Sequence, residues 1–161
     1  MSPDLIIDNV SEEEYEVSGS KFITFPAGAK KGDVQYRTIE CTELDWDTPG
    51  KSMKIMVAVT EDGPDKSKVE KISFGTDVKS IWKGKDLYKA ITGHDIPMKA
   101  GSDGRKHPAP NPMEIAGKTA VGVWQMQEGK KGGVGEVVVY PKLQNIIAVK
   151  DRPSATATVG I

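Results

Sequence analysis

Residues Val69–Gly93 read VEKISFGTDVKSIWKGKDLYKAITG, and the fold turns on this stretch. Here a strand-like run passes into a helix. Val69, Ile72 and Phe74 make a short β-type segment that stops at Gly75. Thr76 or Asp77 then offers a side-chain oxygen to the free N–H groups of a helix start. Val78, Ile81, Trp82, Tyr88 and Ile91 recur at steps of three and four, which predicts one apolar helix face. Gly93 suits the residue after a helix, because it takes a left-handed conformation without a Cβ clash. Gly84 weakens a helix interior by ~1 kcal/mol against alanine, which predicts a kink or two short helices.

The N-terminal side of this stretch reads as strands. Lys21–Phe25 is a predicted strand closed by the turn Pro26-Ala27-Gly28. A longer run, Val34–Trp46, places apolar residues at Val34 and Tyr36, then Ile39 and Cys41, then Leu44 and Trp46. The phase slips twice, and each slip would turn the core face to solvent in a regular strand. Bulges or a strong bend are therefore expected. After the turn Asp47-Thr48-Pro49-Gly50, Met53, Ile55, Val57 and Val59 alternate with smaller or polar residues, so the two runs form an antiparallel hairpin. Glu61–Lys68 reads as a polar loop.

On the C-terminal side, His94–Pro112 has no periodicity and carries four prolines and two glycines. A segment of that kind inside a compact domain is usually functional or without fixed structure. Lys118–Gln127 alternates Thr119, Val121 and Val123 against Ala120, Gly122, Trp124 and Met126. Val134–Tyr140 is β-branched, and Pro141–Val149 reads as an added edge strand. Three meandering strands, a helix and two further strands imply a mainly β fold with one helix. The expected form is an OB-like five-stranded barrel, with a two-sheet β-sandwich carrying one helix as the alternative. Residues 1–20 read as an acidic N-terminal arm, 21–150 as a single β-rich domain and 151–161 as a C-terminal tail.

A chain of 161 residues with 37% hydrophobic residues suffices for one domain with a real core. Seventeen glycines and ten prolines suit a turn-rich β fold. No apolar run approaches the ~20 residues of a membrane span, and the first residues lack the basic and apolar regions of a signal peptide; a cytoplasmic setting is expected. The single cysteine, Cys41, alternates with Ile39 and reads as a small buried hydrophobe. The net charge of −1 hides a division: residues 1–62 hold 13 acidic and 6 basic side chains, and residues 63–161 hold 10 and 16. That split admits an anionic partner and also head-to-tail self-association, with the N-terminal arm as the contact in a homo-oligomer.

Catalytic constellations are missing from the sequence. His94 and His107 have no zinc-type spacing with each other or with Cys41, so no metal or other cofactor is expected. Asp45 and Asp47 flank Trp46 as a solvated turn entry. Gly129-Lys130-Lys131-Gly132-Gly133 joins two strands and does not open a helix, unlike a phosphate-binding loop. An enzyme is not expected. What remains is aromatic residues interleaved with basic ones on strands. Single-stranded nucleic acid is bound this way, with bases stacked on rings and cations following the phosphates. Tyr36, Trp46 and Trp124 are the candidate stacking residues. Arg37, Lys54, Arg105, Lys106, Lys130 and Lys131 are the candidate phosphate contacts. Gly122 beside Trp124 would let a planar ligand approach. Phe22, Phe25, Phe74, Trp82 and Tyr88 are assigned to the core.

The turn FPAG (Phe25–Gly28), the helix SIWKGKDLYKAITG (Ser80–Gly93), the strand entry IAGKTAVGVW (Ile115–Trp124) and the run VVVYPKLQNI (Val137–Ile146) loosely resemble small phage-encoded proteins of replication and recombination modules. The resemblance implies an OB-like barrel and sequence-independent binding of single-stranded DNA. The alternative function is a phage virion structural protein, a capsid decoration or tail component that acts through subunit contacts. The acidic arm, the small uncharged end SATATVGI and the charge split motivate it.

Overall fold

The structure is a computed structural model and describes residues 5, 6, 8, 12, 22–130 and 137–153. Most of the expected arm, the EGKKGG turn beyond Lys130 and residues 154–161 lie outside the described residues. The elements from residue 22 onward among the described residues are β1 (Val34–Thr48), β2 (Ser52–Val59), β3 (Val69–Gly75), α1 (Ile81–Thr92), β4 (Met98–Ala100), β5 (Lys106–Pro108), the single turn α2 (Pro112–Ile115), β6 (Lys118–Lys130), β7 (Val137–Ile147) and a closing 3-10 turn (Val149–Asp151). The large strands form one antiparallel sheet in the order β3-β2-β1-β6-β7, and β4 and β5 form a small hairpin of their own. The protein is therefore mainly β with one full helix. No described helix is long and apolar enough to cross a membrane.

The central strand β1 holds the sheet together by changing partners along its length. Val34–Cys41 pairs with β6, Ile39–Thr48 pairs with β2, and only Ile39–Cys41 lies between both. One predicted phase slip is a bulge between Cys41 and Glu43, which returns Leu44 to the core side. A second irregularity falls at Trp46/Thr48. Between Tyr36 and Ile39 the pairing with β6 is regular, and Tyr36 lies on the opposite face from Ile39. On β2, Met53, Ile55, Val57 and Val59 are all buried and their neighbours are not. Each such side chain contributes about 1.5–3 kcal/mol when taken out of water.

The strand–helix passage corrects the sequence reading in three ways. The helix begins at Ile81, after a turn in which the Asp77 carboxylate accepts the Ser80 N–H at 2.8 Å. Its buried stripe is Gly84, Leu87, Tyr88 and Ile91, whereas Val78 and Trp82 are exposed. The helix is also continuous through Gly84. A Cβ at that position would overlap the ring of buried Phe74 on β3, so the glycine marks a close approach of helix to sheet at the start of the buried stripe. Gly93 takes φ +88° and its N–H donates to the Lys89 carbonyl, ending the helix as its sequence predicts.

Three further expectations are revised. Residues 22–25 are extended but belong to no sheet. Ile23 is buried, and the Thr24 N–H and hydroxyl donate to Asp65. Phe22 is more than a third exposed. The aperiodic 94–112 segment is ordered around the β4–β5 hairpin, whose turn is closed by Gly101 N–H donating to the Arg105 carbonyl at 2.7 Å. Pro141 sits within a single long β7 and does not start a separate strand; a proline is tolerated there because β7 ends the sheet order.

The two outer strands approach each other. The Glu70 carboxylate on β3 accepts the Leu143 N–H of β7 at 2.6 Å, but no β3–β7 ladder forms, so the sheet is not closed by backbone pairing. Helix α1 packs beneath this seam against β3, β6 and β7.

Candidate nucleic-acid interface

An apolar groove of about 620 Å³ opens at the far end of β1. Its walls come from three places: Leu44, Trp46 and Met53 at the β1–β2 turn, Val78 and Ile81 at the helix entry, and the His107–Pro112 segment. Prolines make that third wall stiff, because their φ is fixed. Trp46 has the inward parity of Leu44 and lies opposite buried Met53. It nevertheless stays 44% exposed, because it lies at the end of the strand on the wall of the open groove.

The proline wall is anchored to α1 by a polar network. The Tyr88 hydroxyl donates to Glu114 and accepts from the Asn111 N–H. The other Glu114 oxygen faces His94 Nε2, while His94 Nδ1 faces the Asp95 carbonyl. Both ring nitrogens therefore meet acceptors, which suits the doubly protonated ring. The Asp95 carbonyl and Glu114 hold the His94 pKa above its ordinary value. Burial and Glu114 push the Tyr88 phenol to about 12, and the Tyr88 hydroxyl, with His94, holds Glu114 below the usual carboxylate range.

No protein-family model matches the chain, and no curated protein matches it.

The candidate binding residues that are described do not converge. Trp124 is 1% exposed and sits in the core. Its own ring fills the space over Gly122, where a Cβ would overlap it, so that glycine accommodates the indole and not a planar ligand. The Trp124 Nε1 proton finds no acceptor among the described residues. Arg37 is engaged as well: its guanidinium donates to Asp65, Gln35, the Tyr36 carbonyl and the Thr24 carbonyl. Tyr36 is partly buried, and its carbonyl also receives Arg152. From Arg37 to Trp46 the strand runs nine residues, up to ~30 Å at ~3.3 Å per residue. Lys54 lies opposite Asp45 on the outer face, away from the side that carries Trp46. Arg105 and Lys106 are exposed on the β4–β5 hairpin, and the next residue, His107, lines the groove with Trp46. Lys130 ends β6, and Lys131 lies outside the described residues. The fold thus brings together Trp46 and the Arg105–His107 hairpin.

Asp65 was hidden by its place in a polar loop. It is the buried acid of the domain, 3% exposed, and binds Thr24, Arg37 and Lys68. Burial alone would raise its pKa, but the Lys68 ammonium and the Thr24 donors hold it below the usual value. Cys41 is buried, as its alternation predicts, and burial pushes its thiol up to about 12. Among the described residues no three histidine, cysteine or acidic side chains gather as a metal-binding group.

Proposed function

We propose that this protein is an OB-like, sequence-independent single-stranded DNA-binding protein of a phage replication or recombination setting. The observation that carries the reading is the half-exposed Trp46 indole on the wall of the apolar groove, which His107 also lines, directly after the exposed Arg105 and Lys106 in sequence; Asp45 and Asp77 line the groove as well. An exposed ring beside cations can stack a base while the cations meet the backbone. The strand order supports the OB-like reading: a three-strand meander, a helix, then two strands, with β1 paired to both β2 and β6. Stacking on Trp46 is worth ~1–3 kcal/mol per base.

Tryptophan fluorescence during titration with a poly-dT oligonucleotide tests the proposal. Of the three tryptophans, Trp124 is shielded and Trp82 is exposed but does not line the groove, so the expected quenching is that of Trp46. It weakens steeply with salt and disappears in Trp46→Phe but not in Trp82→Phe. An unquenched wild-type protein at low salt overturns the proposal.

A virion structural role is the second reading, favoured by exposed apolar side chains at Val78, Trp82, Met98 and Met113. Its signature is a stable oligomer in solution that is indifferent to oligonucleotide.

A further inference from the structure

The seam between β3 and β7 holds a second opening, about 190 Å³, lined by Lys71, Ile72, Ser73, Lys83, Lys142 and Leu143. Its floor is apolar, since Ile72 and Leu143 are buried. Three lysines from three elements meet at its rim: Lys71 from β3, Lys83 from α1 and Lys142 from β7. Lys71 is neutralised by Asp47 at 2.8 Å, and the same carboxylate takes the Ser73 hydroxyl. The Glu70 carboxylate accepts the Leu143 N–H at the same seam and keeps its negative charge. Lys83 and Lys142 have no acidic partner among the described residues.

We propose that this pocket is an oxyanion site in which Lys83 and Lys142 close on one phosphate group above the Ile72–Leu143 floor. Two ammonium groups facing one opening repel each other, and the apolar floor strengthens that repulsion by lowering the local dielectric. Burial and the neighbouring Lys142 hold the Lys83 pKa below its ordinary value. A tetrahedral anion between them reverses the sign of the interaction and gives each ammonium a charge-assisted acceptor. The spacing of lysines on a strand and on the helix beneath it suits a point-charge clamp, whereas planar bidentate recognition would call for arginine. The occupant is a phosphate, carried either by a small free phosphoanion or by the backbone of a single strand. The second source rests on the proposed function and the first does not.

The test uses the full chain and reads the side-chain CεH resonances of Lys83 and Lys142, assigned through Lys83→Gln and Lys142→Gln. Inorganic phosphate at pH 7 is titrated against sodium chloride at equal ionic strength. Phosphate is expected to shift both resonances where chloride does not, with at least tenfold weaker binding in the double variant. Equal shifts with chloride, or none with phosphate, overturn the site. A poly-dT oligonucleotide then separates the sources. If the strand occupies the pocket, the double variant lowers the slope of log affinity against log salt by about 0.7, one phosphate on a single strand. Phosphate shifts with an unchanged slope support the small-anion source. Phosphate shifts with no oligonucleotide binding by the wild type support the site while overturning the proposed function.

Discussion

The two halves of β1 carry similar sequence and opposite fates. Its first half sets Tyr36 beside Arg37 and faces Trp124 across the sheet from Gln35. Its second half sets Trp46 between acids and near Lys54. In the first half the aromatic and basic groups are consumed by the fold: Arg37 by Asp65, the Tyr36 carbonyl by Arg152, and Trp124 by the core. In the second half the strand outruns β6; Leu44 is still buried, but at the strand's end the Trp46 indole is left half-exposed beside an open groove. An inward-facing position is buried only where a neighbouring element extends far enough to cover it. A basic residue is available to a ligand only where no carboxylate has been folded against it.

The contrast breaks most severely at its buried end. Asp65→Ala is expected to cost ~3–5 kcal/mol, because it strands Arg37 and Lys68 without their acid. Chemical denaturation should show a lower midpoint at unchanged slope. Trp124→Ala is expected to cost a similar ~3–5 kcal/mol by leaving a large cavity, while Trp124→Phe loses less, since it also removes an N–H without a partner. Trp46→Ala belongs to the other half. It should cost under ~1 kcal/mol in stability yet weaken oligonucleotide binding about tenfold, within the ~1–3 kcal/mol of one stacked base. A Trp46→Ala variant as unstable as Trp124→Ala would erase the distinction between the halves.

Gly84→Ala sharpens the picture from below the sheet. Helix propensity alone favours alanine by ~1 kcal/mol, but the new Cβ meets the Phe74 ring. Overpacking of that kind costs ~1–3 kcal/mol, so net destabilisation is expected, and a gain in melting temperature would show that the helix can retreat. The smallest effect concerns the groove wall. The His94 pKa is raised in the folded protein, so its contribution is fully present below the unfolded value of ~6.5 and is lost as pH rises through the folded pKa. Melting temperatures should fall slightly across that window in the wild type, and the dependence should vanish in His94→Gln.

Much of the scaffold is legible in the residues themselves. Strict alternation marks β2, Gly93 marks the helix end, and the slip between Cys41 and Leu44 marks a bulge. These signals are local, and they depend on backbone geometry that the chain carries with it. The site is less legible because exposure is a property of neighbours. The small residues Ala120 and Gly122 make the Trp124 side of β6 look like a flat outer face, but Ala120 is fully buried and the Trp124 indole itself packs over Gly122. Val78 and Trp82 match a helical period, yet the helix starts later and turns on Gly84. Asp65 in EDGPDKSK looks solvated because its partners, Thr24 and Arg37, lie 41 and 28 residues away. The pairing of Lys83 with Lys142 is likewise invisible until the two outer strands meet.

The meeting of those strands has a mechanical consequence. A sheet wrapped by continuous backbone pairing has a girth fixed by whole numbers, the count of strands and their stagger. Here one glutamate side chain stands where a ladder would run. A side-chain bridge imposes no such whole number on the gap between the two outer strands. Lys71 and Lys142 ride on the two lips of that gap, with Lys83 below. In the proposed site, a phosphate held among them would tie the two outer strands together where no ladder runs.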